Sequence, residues 1–411
     1  MWRRWALPLG SALLVVLATG LGVLWWKAPA FYENVDPEAR ATAAATTRAG
    51  ILAVFAATVA VLGAIVALAE TRRANLAAHE RDREADQRER YAKAIDQLGA
   101  GDDKVDVRLG GIYSLQRIAQ DSDRDLPTVV EVLCAFVRGH GQGPDDSDDE
   151  LEMHRPPPDV QAALQVIGRV HNHRDSHVDL QRAHLERADL EAASLAGADL
   201  RGAHLAHAEV SDANLGDANL READVADAYL FGSNLNHATL VNAPLTKADL
   251  RHTDLTGANL HGADLTKADL IGATLTGATV TGATLHAADL SGADLSGADL
   301  SDADLTDVII VRASKLRDAD LIEAISLGTA KLVGTDLTGA DLTGADLTRA
   351  TLTGAILSNA DLTDADLTNA DLTDVIGLIQ DQLEAANGDQ RTRLPAGLTR
   401  PEHWTQPGDS G

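Results

Sequence analysis

A mainly repeat-built protein behind a helical, membrane-inserted amino-terminal region is the class the sequence predicts, and three observations predict it. Leu or Val recurs at every fifth residue from Leu180 to Leu305. Two uncharged stretches lie near the amino terminus, Trp5–Trp26 with 22 residues and Ala49–Ala69 with 21. A densely charged, proline-free segment joins the two regions. Composition narrows the class further. The 411 residues hold 62 Asp plus Glu against 35 Lys plus Arg, a net charge of −27, which opposes direct nucleic-acid binding because phosphates need a basic footprint. The lone Cys134 excludes an intramolecular disulfide and a multi-cysteine metal site.

Each uncharged stretch is long enough to cross ~30 Å of hydrocarbon as a helix at ~1.5 Å per residue. Trp2, Trp5, Trp25 and Trp26 flank the first, where amphipathic rings settle at headgroup level. A cleaved signal peptide is the rival reading, since Arg3 and Arg4 precede the stretch and Ala28-Pro29-Ala30 resembles a small-residue cleavage site. The apolar run, however, exceeds the usual h-region. Arg72, Arg73, Arg81, Arg83, Arg88 and Arg90 crowd the exit of the second stretch, and the larger basic cluster stays inside. Residues 1–70 are therefore expected to be an anchor whose two transmembrane helices, about 5–26 and 49–69, contact the lipid bilayer. This makes a multi-pass protein of the cell (inner) membrane, with the amino terminus and everything after the second span cytoplasmic and the short loop from Lys27 to Arg48 outside.

Residues 71–138 read as a helical connector. Its first part is too poor in apolar residues for a core-facing stripe and suits a solvated juxtamembrane helix. Leu109, Ile112, Leu115 and Ile118 then recur at helical spacing, as do Val129, Val132, Leu133 and Phe136, with Asp121-Ser122-Asp123 supplying turn chemistry between them. This hairpin resembles one HEAT or armadillo-like unit, and Cys134 on its apolar side suits a buried small hydrophobe. Residues 139–159, acidic and with three consecutive prolines, predict a mobile or extended linker. Val160, Leu164 and Ile167 predict a helix that plugs the first end of the repeat, within a domain spanning 160–376.

Of the 26 positions at five-residue spacing between Leu180 and Leu305, 23 are Leu, and Ala stands two residues earlier in all but three cases. A period of five fits neither the 3.6 of a helix nor the 2.0 of a strand, so it signals a repeat architecture. The run ADLSGADLSGADLSDADL from Ala288 to Leu305 resembles the bacterial pentapeptide-repeat family, A(D/N)LXX in tandem. The resemblance implies a right-handed quadrilateral parallel β-helix with four pentapeptides per coil and Leu and Ala inward. The register slips by one residue between Ile310 and Leu316 and again between Leu321 and Leu327, which predicts a bulge between Val308 and Leu332. Residues 377–411, with Leu394, Leu398 and Trp404, resemble the capping segment that closes such domains.

No phosphate loop, zinc-helix motif or nucleophile elbow occurs, and neither catalytic residues nor cofactors are expected. His171, His173, Asp175 and His177 form a metal-like group by residue type, but a loop setting without a second constellation does not make a site. His184 and His204 stand twenty residues apart, hence on one face of a four-repeat coil. Two surfaces are candidates for a protein partner. One is an acidic column of Asp189, Glu209, Asp249, Asp269 and Asp289, interrupted by Tyr229; the other is the basic group Arg312, Lys315, Arg317 and Lys331 at the bulge. The expected function is a non-enzymatic, membrane-tethered scaffold for protein–protein interaction. The alternative is a DNA mimic that protects a type II topoisomerase, a use the family resemblance implies for such columns.

Overall fold

The computed structural model describes residues 19–27, 30, 36–101, 103–141, 155–170, 177–311, 314–317, 319, 321 and 330–404. They fall into two compact units, Met1–Glu89 and Arg90–Gly411. Residues 19–27 are helical (α1), and α2 spans Pro37–Leu98. Asp36-Pro37 starts α2 well, because proline fixes φ and has no N–H to waste in the first turn. No proline follows before Leu98, so the expected boundary between anchor and connector at residue 70 is not a structural break. Among the described residues α2 is the one helix long and apolar enough to cross a membrane, and none of its most apolar window is buried. Most of the other expected span, at 5–26, lies outside the described residues. Its visible end packs on α2, where Leu21, Gly22 and Trp25 face Ile51, Leu52 and Phe55 across a small apolar crevice. The Arg48 guanidinium stands 4.6 Å over the Trp25 ring and donates to the Trp25 carbonyl at 3.3 Å.

In the second unit α3 (Val105–Asp121), α4 (Leu126–His140) and α5 (Pro158–Val170) pack into a small bundle, and the end of α2 lies against α3. Gly111 permits the close approach, since a Cβ there would lie 2.7 Å from the Ala94 carbonyl oxygen. Ile112, Leu115, Leu133, Val137, Leu164 and Ile167 are sealed from solvent. Inside the bundle Arg108 meets Asp159 at 2.5 Å, the carboxylate fully buried. The linker expected over residues 139–159 is shorter at both ends, because His140 still belongs to α4 and Asp159 is an interior residue of α5. Residues 142–154 lie outside the described set. The bundle and the repeat share one continuous hydrophobic core. The hairpin is thus built onto the rod and is not strung from it.

From Asp179 onward, single-residue parallel bridges join residues twenty apart, as in Asp249↔Asp269 and Asp269↔Asp289. Twenty residues are four pentapeptides, so each coil has four faces. The mainly β expectation needs one correction: among the described residues there is no extended strand. Each face spends two of its five residues on a turn, which leaves one residue to bridge. The corner residue sits in the left-handed region at each turn from Arg182 to Asp307 and from Gly334 to Asp374, with φ from +53° at Arg182 to +63° at Arg349 where it is not glycine. Asn, Asp and Gly tolerate that conformation, but Arg, Lys and His occupy it here as well, held by the coils on either side. Coil 265 shows the wiring. Leu265 N–H donates to Thr284 O at 2.7 Å, Lys267 N–H to His286 O at 2.9 Å, and Ala268 N–H closes the turn on Leu265 O at 2.9 Å. Leu265 and Ala263 are fully buried, and each such Leu contributes about 1.5–3 kcal/mol.

Both ends are closed. The Gln161 side chain of α5 imitates a neighbouring coil, donating to Asp189 O at 2.7 Å and accepting from Asp189 N–H at 3.0 Å. Ser194 N–H donates to Gly168 O at 2.9 Å. At the other end α6 (Gln380–Ala385) lies over the last coils, with Gln382 donating to Leu357 O and Ala360 O at 2.9 and 2.7 Å. Buried Trp404 donates its ring N–H to Ala386 O at 2.9 Å, over Gly388, where a Cβ would meet its ring at 2.7 Å. The register slips appear as lengthened bridges, Asp294↔Lys315, Lys315↔Asp336 and Ile309↔Lys331. At the first slip Ser314 replaces the usual Ala. Its buried hydroxyl accepts from Gly292 N–H at 2.9 Å and lies 2.7 Å from Val311 O.

Candidate interaction surface

Asp189, Glu209, Tyr229, Asp249, Asp269 and Asp289 are consecutive bridging residues on one face, so the acidic column exists in the expected register. Its chemistry differs from a row of free carboxylates. Asp249 Oδ1 accepts Arg251 N–H at 3.2 Å, and the same pattern joins Asp269 to Ile271 and Asp289 to Ser291 at 3.1 and 2.9 Å. The carboxylate before each central Leu thus closes its own turn. This local role explains Asp at the position wherever the repeat occurs, with no ligand required. Arg251 also clasps Asp249 through Nε and Nη2 at 2.7 and 2.5 Å and stands 3.6 Å from Asp269. The Arg251 hydrogen bonds hold the Asp249 carboxyl below the usual carboxylate range. In the middle of the column, therefore, the field is broken by a fixed guanidinium.

The column continues through Ile309 to Lys331, which is exposed. Lys315 belongs to the neighbouring face, between Asp294 and Asp336. It reaches Asp294 at 2.7 Å, and Arg317 approaches Asp336 at 3.7 Å. Arg312 lies outside the described residues. The basic group at the bulge is therefore divided over two faces, and two of its members are engaged by acids on adjacent coils. Half-exposed pairs of this kind stabilise by at most about 1 kcal/mol.

Phe231 was absent from the sequence-based surface, although the signal was available: an aromatic at a turn position in a chain with 3% aromatics. It is 41% exposed, beside Tyr229 at 46%. Arg251 stands 5.6 Å over its ring, and His252 meets it edge-on at 5.6 Å. Two exposed aromatic rings beside an arginine, set within an acidic face, form the kind of centre from which protein interfaces draw most of their energy. An open polar cleft also lies where α6 meets the last coils, lined by Ser358, Asp361, Gly377, Asp381 and Gln382. Asp361 and Asp381 are exposed there.

The family model described as pentapeptide repeats matches in tandem copies over residues 176–206, 208–246, 243–282, 268–307, 281–314, 326–359 and 335–374. The interruption between 314 and 326 coincides with the slipped register. No curated relative matches the chain. Among solved structures, the chain is similar to HetL, a pentapeptide repeat protein involved in heterocyst differentiation regulation from the cyanobacterium Nostoc, at 35% identity over 53% of this chain and 92% of that one, with a TM-score of 0.30. It is similar to Rfr23 of the cyanobacterium Cyanothece at 36% identity over 22% and 62%, with a TM-score of 0.21. QnrB1, a plasmid-mediated fluoroquinolone resistance protein, matches at 21% identity over 42% and 84%, with a TM-score of 0.30. With its tandem A(D/N)LXX motif folded into four-faced coils, the chain belongs to the pentapeptide-repeat family.

Proposed function

We propose that the protein is a non-enzymatic scaffold, tethered at the cytoplasmic face of the cell membrane, whose rod holds a protein partner on the face centred on Tyr229, Phe231 and Arg251. The exposed aromatic pair carries this reading: burying Phe231 and Tyr229 against a partner removes apolar surface that the fold leaves in water. An interior filled with Leu and Ala leaves the rod to act through its outside. The unburied apolar window of α2 supports tethering, because a bilayer covers such a surface at no polar cost. The multi-pass topology and the cytoplasmic side rest on the second span the sequence predicts at 5–26 and on the positive-inside balance. Proximity labelling from the full chain in cells tests the reading. A labelled set that is lost in the Tyr229→Ala/Phe231→Ala variant supports it, and a set no different from general membrane neighbours counts against it.

The DNA-mimic reading draws support from the register of Asp249, Asp269 and Asp289 on consecutive coils. Arg251, bound within that column, opposes it. The full chain in detergent, added to a purified type II topoisomerase, separates the two. Salt-sensitive inhibition of DNA binding, lost when Asp249, Asp269 and Asp289 become Asn, would replace the scaffold by mimicry.

A further inference from the structure

On the face next to the acidic column, the first two coils bring two imidazoles and a carboxylate together. His184 and His204 are bridge partners, and their rings stack with centroids 4.7 Å apart and planes within 5°. Glu186, at the corner following His184, reaches toward both. Its Oε1 lies 3.5 Å from His184 Nδ1 and 3.9 Å from His204 Nδ1. The corresponding corner after His204 is Ala206, which leaves Glu186 room over the second ring. His184 Nδ1 is buried without a hydrogen-bond partner. A buried nitrogen facing a carboxylate oxygen at a separation too long for a good hydrogen bond is an unresolved polar contact, and such groups ask for an occupant between them.

We infer that His184, Glu186 and His204 form a site for a divalent first-row transition metal of the zinc class. The donors suit it: two neutral imidazoles and a carboxylate, with the fourth position open to water, match the borderline ligand preference of zinc. The spacing suits it as well. Two donors each about 2.0–2.1 Å from a tetrahedral ion are about 3.3 Å apart, against the 3.5 and 3.9 Å found here. The three donor atoms all lie within 4.8 Å of one another. Modest rotation of the stacked rings turns their Nδ1 lone pairs onto a common point. The end of α4 abuts this coil, where a Cβ on Gly141 would lie 3.0 Å from His184 O. His184 and His204 come from successive coils, so a bound ion clamps the first two coils together at the end that α5 closes.

The test uses the full chain in detergent, stripped with chelator and titrated with Zn²⁺ alone by calorimetry, and with Co²⁺ to read the ligand-field absorption of a tetrahedral site. The bridging position carries Asp224, Asp264 and Thr284 on later coils of the same face, so His204→Asn and His184→Asn preserve the fold, which circular dichroism verifies. One ion per chain, a higher melting temperature with Zn²⁺, and a loss of affinity of about 100-fold or more in either His→Asn variant and in Glu186→Gln are expected. A His171→Ala/His173→Ala variant leaves binding unchanged. The inference is overturned by the absence of Zn²⁺ binding tighter than millimolar, by unchanged binding in both His→Asn variants, or by loss of binding only in the His171/His173 variant.

Discussion

Replacing Leu265 separates the inside of the coil from its outside within two adjacent residues. Leu265→Ala deletes three carbons from a fully buried side chain, a transfer loss of about 2.4 kcal/mol at ~0.8 kcal/mol per methylene, before the cavity is counted. Collapse around the cavity is restrained, because the backbone is tied on both sides by Leu245 N–H to Asp264 O and Leu265 N–H to Thr284 O, each at 2.7 Å. The total should therefore lie in the upper half of the usual Leu→Ala range, about 3.5–5 kcal/mol. Asp264→Ala, one residue away, removes an exposed side chain and one bond, from Thr266 N–H to Asp264 Oδ1 at 3.0 Å. Its cost should be about 0.5–1 kcal/mol. Leu265→Asp adds an unpaired carboxylate to a dry interior and should open the coil locally. A stack of repeats need not unfold in one step, so native-state hydrogen exchange at Leu245, Leu265 and Leu285 is the assay, with urea unfolding as the global check. Comparable loss of protection in Leu265→Ala and Asp264→Ala would refute the inward and outward assignment.

Three further outcomes are expected. Burial pushes the Cys134 thiol up to about 12, so the native protein should resist thiol reagents at pH 8 and react once unfolded. That silence allows reporters at Asp36→Cys and Ala85→Cys in the natural chain, which should label from outside and from inside the cell respectively; outside labelling at residue 85 would move the whole rod across the membrane. Because Arg251 holds Asp249 below the usual range, the stabilisation is complete above the unfolded value of about 3.9 and is lost as pH falls through the lower native value. Arg251→Ala should flatten the acid limb of the stability profile below about pH 4, whereas an unchanged profile would show the pair to be inert. Breaking the buried Arg108–Asp159 pair by Arg108→Ala should cost about 3–5 kcal/mol and release α3 from α5, seen as lost exchange protection in α3; a change under about 1 kcal/mol would deny the pair its role.

The coil is already legible in the amino-acid pattern. A five-residue period with Leu and Ala at fixed places admits one inward set, and the bridges twenty residues apart and the slips near 310 and 325 follow from counting. The pattern also determined the caps at Val160–Ile167 and Trp404, since apolar residues at the ends of a solenoid have nowhere else to go. What the period cannot encode is anything set by residues outside it. Arg251 neutralises part of the acidic column because its turn position places the guanidinium over Asp249 and Asp269. Arg108 and Asp159, separated by a segment that reads as linker, meet only because α3 and α5 pack. That packing fuses the hairpin to the rod, a result of burying apolar helix faces against one another that no local pattern announces. Glu186 reaches both His184 and His204 because one coil offers a small Ala206 where the previous coil carries a carboxylate, a relation between residues twenty apart. Local spacing fixes which side chains point outward, and only the stacking of coils decides which of them touch.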